Sequence, residues 1–229
     1  MELKGLIVSC QLEGDYYKDV LSRSKVINWM ISECLRAGVN QVRLCGAREI
    51  ELARREFGND IVIVGCTKTY DKNGRVHITK SMSEICDIMG FCDYVASENW
   101  INGNSAERKM LPSYVNIKKL IYEPTEEHME DGDCDCGFGY WNFSCDGYIS
   151  TTLLNLSGYK NMELKYRPDY INLKRLASGH SKVIAEGQYW TAEDINLAFE
   201  LGTKAVCIGA AITKPAKIIE RYKSLCGNL

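Results

Sequence analysis

Short runs of Val, Ile, Leu and Cys recur along the chain, separated by longer segments in which apolar residues return every three to four positions. The short runs at 5–11, 41–45 and 60–68 are apolar on both faces, the pattern of parallel strands that helices cover from outside. Between them, 25–37 aligns Val26, Ile27, Met30, Ile31, Cys34 and Leu35 along one helical stripe, and 48–57 does the same with Ile50, Leu52, Ala53 and Phe57. The last quarter repeats the alternation, with strands at 182–186 and 205–208 and helices at 191–201 and 214–225. Thr191 with Asp194 predicts an N-cap, and Gly202 a helix stop. The middle is less regular, and supplies strands at 93–97, 119–123 and 147–153 and helices at 81–89 and 169–177.

Eight strands alternating with seven or eight helices in 229 residues fit a (β/α)8 TIM barrel, an α/β fold, as a single domain over 1–229. An open doubly wound sheet ordinarily carries a glycine-rich turn after its first strand, and the stretch from Gly5 through Gln11 to Gly14 has none. The segment 126–135 is acidic, and Gly132, Gly137 and Gly139 interrupt any helix before Tyr140, so it reads as a loop or a degenerate helix.

Charge and cysteine content narrow the partners. Lys and Arg number 28 against 30 Asp and Glu, a net charge of −2 with no basic stripe, so nucleic acid is not expected. No apolar run approaches the ~20 residues that cross a bilayer, and the apolar stretch at the start is too short for a signal-peptide core. A cytoplasmic protein with no membrane attachment is expected. Eleven cysteines, an odd number spread over the chain, read as reduced thiols, and Cys10, Cys45, Cys66 and Cys207 as small hydrophobes within or beside apolar runs.

In such a barrel the C-terminal strand ends face one pocket, which singles out the polar residues closing apolar runs: Gln11, Arg43, Lys68, Glu98, Glu123, Thr151, Thr152 and Glu186. Lys68 and Glu186 close strongly apolar strands, where a charge is costly to desolvate unless paired or wet. Glycines after the last two strands, in Glu186-Gly187 and Gly209-Ala210, let main-chain amides approach an anion. Cys134 and Cys136, with His128 and Cys145, lack the roughly two to four intervening residues that zinc sites favour, and no metal site is assigned. Residues 140–143 read as core or rim, and His77 and His180 as structural groups.

The segments Leu3 through Gln11, Val42-Arg43, Gly65-Cys66-Thr67-Lys68 and Val76-His77-Ile78-Thr79 occur in a characteristic order. Thr151-Thr152, Ser157-Gly158-Tyr159, Val183 through Gly187 and Gly209 through Pro215 follow. This ordered set resembles the N-acetylmannosamine-6-phosphate 2-epimerases of sialic-acid catabolism over nearly the whole chain. The resemblance implies a (β/α)8 isomerase that inverts C2 of an acetamido sugar phosphate, its small-molecule partner, with no nicotinamide cofactor and no essential metal. It also implies a homodimer. Lys68 is then the base that moves the C2 proton, its pKa lowered by burial near Arg43, and Glu186 acts at the C1 oxygen. Gln11, Arg43, Glu123 and Tyr159 contact the sugar, and Gly187, Gly209 and Ala210 hold the phosphate.

Departures from the family pattern cluster on the sugar side. Thr69-Tyr70-Asp71 stands after Lys68 in place of Arg-Asp-Tyr, and Ser97-Glu98-Asn99 replaces Asp-Ala-Thr. Tyr122-Glu123-Pro124 replaces Ala-Asp-Ile, and 153–156 is an insertion. Two other functions share the fold: a phosphosugar-binding barrel without catalysis, and an isomerase or decarboxylase acting on a different sugar phosphate.

Overall fold

Eight parallel strands close on one another in the computed structural model, which describes residues 2–12, 19–98, 120–124, 147–152 and 167–225. In chain order the elements are β1 (Gly5–Ser9), α1 (Val20–Arg36), β2 (Gln41–Cys45), α2 (Ala47–Phe57), β3 (Val62–Cys66), β4 (Lys68–Tyr70), β5 (Val76–Ile78), α3 (Met82–Met89) and β6 (Tyr94–Ser97). There follow β7 (Leu120–Tyr122), β8 (Tyr148–Ser150), α4 (Tyr170–Gly179), β9 (Val183–Glu186), α5 (Ala192–Glu200), β10 (Ala205–Ile208), α6 (Ala210–Thr213) and α7 (Pro215–Leu225). The strands run β1-β10-β9-β8-β7-β6-β3-β2 around the barrel, while β4 and β5 form a separate antiparallel hairpin. The closed parallel barrel expected from the alternation is the observed fold.

Strand alternation divides the core into layers. Val42 and Leu44 of β2 and Ile63 of β3 pack outward with Ile27, Ile31, Ile50 and Ala53 of the first two helices. Ile7, Val62, Val64, Ala96, Ile121 and Ile184 turn inward. At the N-terminal end, Tyr148 meets Tyr94 edge-on with ring centroids 5.6 Å apart. Its hydroxyl accepts from Leu3 N at 2.9 Å and donates to Leu3 O at 3.2 Å. The lower barrel is thus filled, which leaves the C-terminal mouth for polar chemistry.

Helix starts follow the expected cap chemistry. Thr191 and Asp194 form a reciprocal capping box, as do Ser81 and Glu84. Helix α1 starts five residues earlier than its apolar stripe because the Asp19 side chain accepts from Ser22 N at 2.8 Å. Gly202, at φ 100°, ends the turn after α5.

Two further boundaries differ from expectation near the cavity. The run at 60–68 is not one strand: β3 ends at Cys66, and Lys68 opens the hairpin. Thr67 N donates to Thr79 Oγ1 at 2.9 Å and Thr79 N to Thr67 O at 3.1 Å, which draws the chain out of the barrel. The helix expected at 214–225 is preceded by the short α6. Lys214 separates the two in a non-helical conformation, φ −122° and ψ 83°, and the proline that follows it disfavours a helical one.

The seven described cysteines are free thiols. Among the described residues no helix is long and apolar enough to cross a membrane. The irregular segment at 126–142, Cys145, the insertion at 153–156 and Tyr159 lie outside the described residues.

Candidate active site

A cavity opens at the C-terminal mouth of the barrel, lined by Ser9, Gln11, Lys68, Thr152, Glu186, Gly187, Gln188, Trp190, Gly209, Ala210 and Lys214, among others. Lys68 enters from the hairpin that follows β3, and Glu186 from the end of β9, which lies four strands from β3 in either direction. The amine and the carboxyl therefore face one space from opposed walls. Lys68 Nζ donates to Gln11 Oε1 at 2.6 Å, and Gln11 Nε2 has no partner among the described residues. Gln11 thus keeps a donor at the cavity wall.

Beneath the cavity, Arg43 reaches from β2 across the barrel axis to Thr152 just beyond β8, donating from Nη1 at 3.0 Å. The same nitrogen lies 2.8 Å from Glu123 Oε1 and donates to Glu186 Oε2. One guanidinium nitrogen thus serves two carboxyl groups. Thr152 in turn donates to Glu123 Oε1 at 3.2 Å and lies 2.8 Å from Ser150 Oγ. Glu186 is also held through its backbone, since the Thr151 hydroxyl accepts from Glu186 N and donates to Glu186 O, both at 2.9 Å.

The charges in this cluster hold one another. Burial works against the Arg43 cation, but Glu186 and Glu123 more than offset it and hold its pKa well above the ordinary arginine value. Burial pushes the Glu123 carboxyl up to about 7, with Arg43 opposing and Glu186 adding to the rise. For Lys68, burial lowers the pKa, the Cys66 sulfur raises it, Arg43 lowers it, and Cys45 and Glu186 raise it. The balance lies above the ordinary lysine value, so the lowering expected beside Arg43 does not occur. Cys66, Cys45 and Glu186 together outweigh burial and the guanidinium, and the free protein holds Lys68 as an ammonium.

The other end of the cavity suits an anion. Gly187, at φ 101°, takes a left-handed conformation that favours glycine. A Cβ on Gly209 would come within 3.3 Å of the Ser9 Cβ, so β1 and the turn after β10 approach this closely because that side chain is absent. Lys214 adds a cation to the same wall.

The family model described as "Putative N-acetylmannosamine-6-phosphate epimerase" matches residues 27–227. The chain belongs to this family. A relative from Staphylococcus saprophyticus, named "Putative N-acetylmannosamine-6-phosphate 2-epimerase", is 28% identical over 227 residues, covering 96% of each chain. A Clostridioides difficile relative of the same name is 27% identical over 235 residues, again covering 96% of each. The solved N-acetylmannosamine-6-phosphate 2-epimerase of Clostridium perfringens shares the fold, with a TM-score of 0.71 and 22% identity over 96% of this chain and 93% of that one.

Within the epimerase-family barrel, the residues expected from sequence divide into two layers. Lys68, Glu186, Gln11, Gly187, Gly209 and Ala210 all line the cavity. Arg43 and Glu123, expected to contact the sugar, lie below it with 2% and 0% exposure, bonded to each other and to Thr152. Lys214, Thr152 and Trp190 line the cavity without having been assigned a role. The lysine before Pro215 was the one legible signal for Lys214, being a cation beside the second glycine turn.

Proposed function

We propose that this chain interconverts N-acetylmannosamine 6-phosphate and N-acetylglucosamine 6-phosphate by removing and returning the proton at C2. The observation that carries this reading is the pair Lys68 and Glu186 on opposed walls of one cavity whose far end holds Gly187, Gly209 and Lys214. The family membership and the names of the relatives support the same substrate.

The protonation state of Lys68 fixes the order of steps. Glu186 takes the anomeric hydroxyl proton, and the Lys68 ammonium gives its proton to the departing ring oxygen, so the sugar opens to its aldehyde. The amine left on Lys68 removes the C2 proton. The electron pair moves onto the C1 oxygen, which regains its proton from Glu186. Once the planar intermediate presents its other face, the ammonium returns a proton to C2 and the steps reverse to close the ring. Arg43 and Glu123 do not touch the sugar in this scheme. They hold the Glu186 carboxyl toward it.

Incubating the protein with N-acetylmannosamine 6-phosphate in deuterated water tests the reading. Deuterium at C2 of both epimers is expected. Binding without exchange identifies a sensor, and exchange at another carbon a different isomerase.

Gly187, Gly209 and Ala210 are assigned to the phosphate through their amides, with Lys214 as the cation. Replacing Lys214 with alanine is expected to raise KM about tenfold or more while leaving kcat within about twofold, since a charged hydrogen bond contributes roughly 1.5–3 kcal/mol. Steady-state kinetics on the phosphorylated sugar check this, and an unchanged KM removes Lys214 from the phosphate site. The same proposal places the enzyme in cytoplasmic sialic-acid catabolism as a homodimer. A monomer mass in sedimentation at micromolar concentration would reject the dimer.

A further inference from the structure

We infer that Glu98 is a positioning residue for Lys68, acting through the β4–β5 hairpin, an inference that rests on Lys68 being the acid–base residue proposed above. Lys68 is not on a barrel strand. It opens a three-residue strand whose antiparallel partner is equally short, and a two-stranded hairpin of that length does not hold its own register. A one-residue slip would turn Lys68 from the cavity to the other face of the hairpin.

The register is held from the end of β6. Lys68 pairs with Ile78 across the hairpin. Glu98 grips that residue twice: Glu98 N donates to Ile78 O at 2.8 Å, and Ile78 N donates to Glu98 Oε2 at 3.1 Å. The remaining carboxylate oxygen, Oε1, lies 2.7 Å from Nδ1 of His77. One side chain therefore bridges two successive residues of β5. On the next residue, the Ser97 hydroxyl donates to Thr79 O at 2.6 Å, and Thr79 is fully buried at φ 42°, a conformation a β-branched residue holds only when its surroundings impose it. Thr79 then binds the backbone of Thr67, the residue before Lys68. Glu98 stands where the family pattern has an alanine, and His77 is the partner that its second oxygen reaches.

The anion end of the cavity is built by the turns after β9 and β10, away from this clamp. Loosening Glu98 should therefore affect turnover and not substrate capture. Glu98→Ala is expected to lower kcat about 10- to 100-fold with KM within about twofold, the effect of an acid–base group displaced by about 1 Å. Glu98→Gln keeps an acceptor for Ile78 N and a polar partner for His77, and is expected to recover kcat to within about threefold of the parent. An unchanged kcat in Glu98→Ala, or a loss in Glu98→Gln as deep as in Glu98→Ala, overturns the inference.

A second readout does not depend on turnover. The side-chain NMR resonance of Lys68, assigned by its loss in Lys68→Ala, is expected to shift in Glu98→Ala and to return in Glu98→Gln. A resonance that stays in place in Glu98→Ala overturns the inference whatever the enzyme does. A shifted resonance in a protein that exchanges no C2 proton defeats the epimerase reading alone. If Glu98→Ala does not fold, His77→Phe loosens the same carboxylate, and an unmoved Lys68 resonance there overturns the inference equally.

Discussion

Lys68→Ala is expected to abolish deuterium uptake at C2, a loss of about 10²–10⁴-fold or more for removal of a general acid–base group. Binding should survive, because Gly187, Gly209 and Lys214, the proposed phosphate site, line the cavity from other strand ends. Isothermal titration with the sugar phosphate beside an exchange assay separates the two effects, and exchange at the parental rate would remove Lys68 from the chemistry. The pH dependence follows from the same residue. In the proposed scheme the reaction begins with its ammonium, and its pKa is raised above 10.5 against the pull of burial, by Cys66, Cys45 and Glu186. The ammonium therefore persists as pH rises, and kcat/KM should show no alkaline fall with a midpoint below 10.5. A Lys68-dependent fall near neutrality would mean that the amine, not the ammonium, is the resting form.

Arg43→Met should be the most damaging substitution to stability. It removes the single cation between Glu123 and Glu186 while approximately keeping the volume, and so leaves two carboxyls facing each other beneath the cavity. Breaking a buried ion pair from one side costs about 3–5 kcal/mol. The cost should depend on pH in a defined direction. The Glu123 pKa already stands at about 7 in the folded protein against 4.5 in its ordinary state. A carboxyl raised in this way contributes stability that is complete below 4.5 and is lost as pH rises through about 7. Without Arg43 the folded value rises further, so the variant should be closest to the parent in acid and furthest from it in mild alkali. Adding Glu123→Gln should recover much of the difference above neutrality. Thermal unfolding of the parent and both variants at an acid and an alkaline pH checks this, and an equal deficit at both counts against the charge cluster as its cause.

Much of the fold was legible because each element carried its own signal. Val42, Leu44, Ile63 and their neighbours announce strands covered on both faces, and Thr191 with Asp194 announces a helix start, all from residues close in sequence. The Lys68 and Glu186 positions were legible for the same reason, as charges ending apolar runs. What the sequence did not show depends on distant partners. Arg43 meets Glu186 at a separation of 143 residues and Thr152 at 109. Nothing near Arg43 in the chain shows that its Nη1 meets Glu123, Glu186 and Thr152 across the barrel. The direction of the Lys68 shift was missed for a related reason, since Arg43 was visible as a neighbouring strand-end charge while the opposing influence of Cys66 and Cys45 emerges only from packing. Lys68 continued an apolar run without a break, so its departure from the barrel was also hidden. The strained Thr79, eleven residues on, is what diverts it.

The seam that closes the barrel joins Gly5 to Ala205 and Val8 to Ile208. During synthesis, therefore, the edge of β1 stays unpaired on one side until almost all of the chain has left the ribosome. Ser9 and Gly209, which meet at that seam beside the anion end of the cavity, come together only at the same late moment. A nascent chain stalled short of β10 thus offers an open strand edge to neighbouring chains and an incomplete cavity wall.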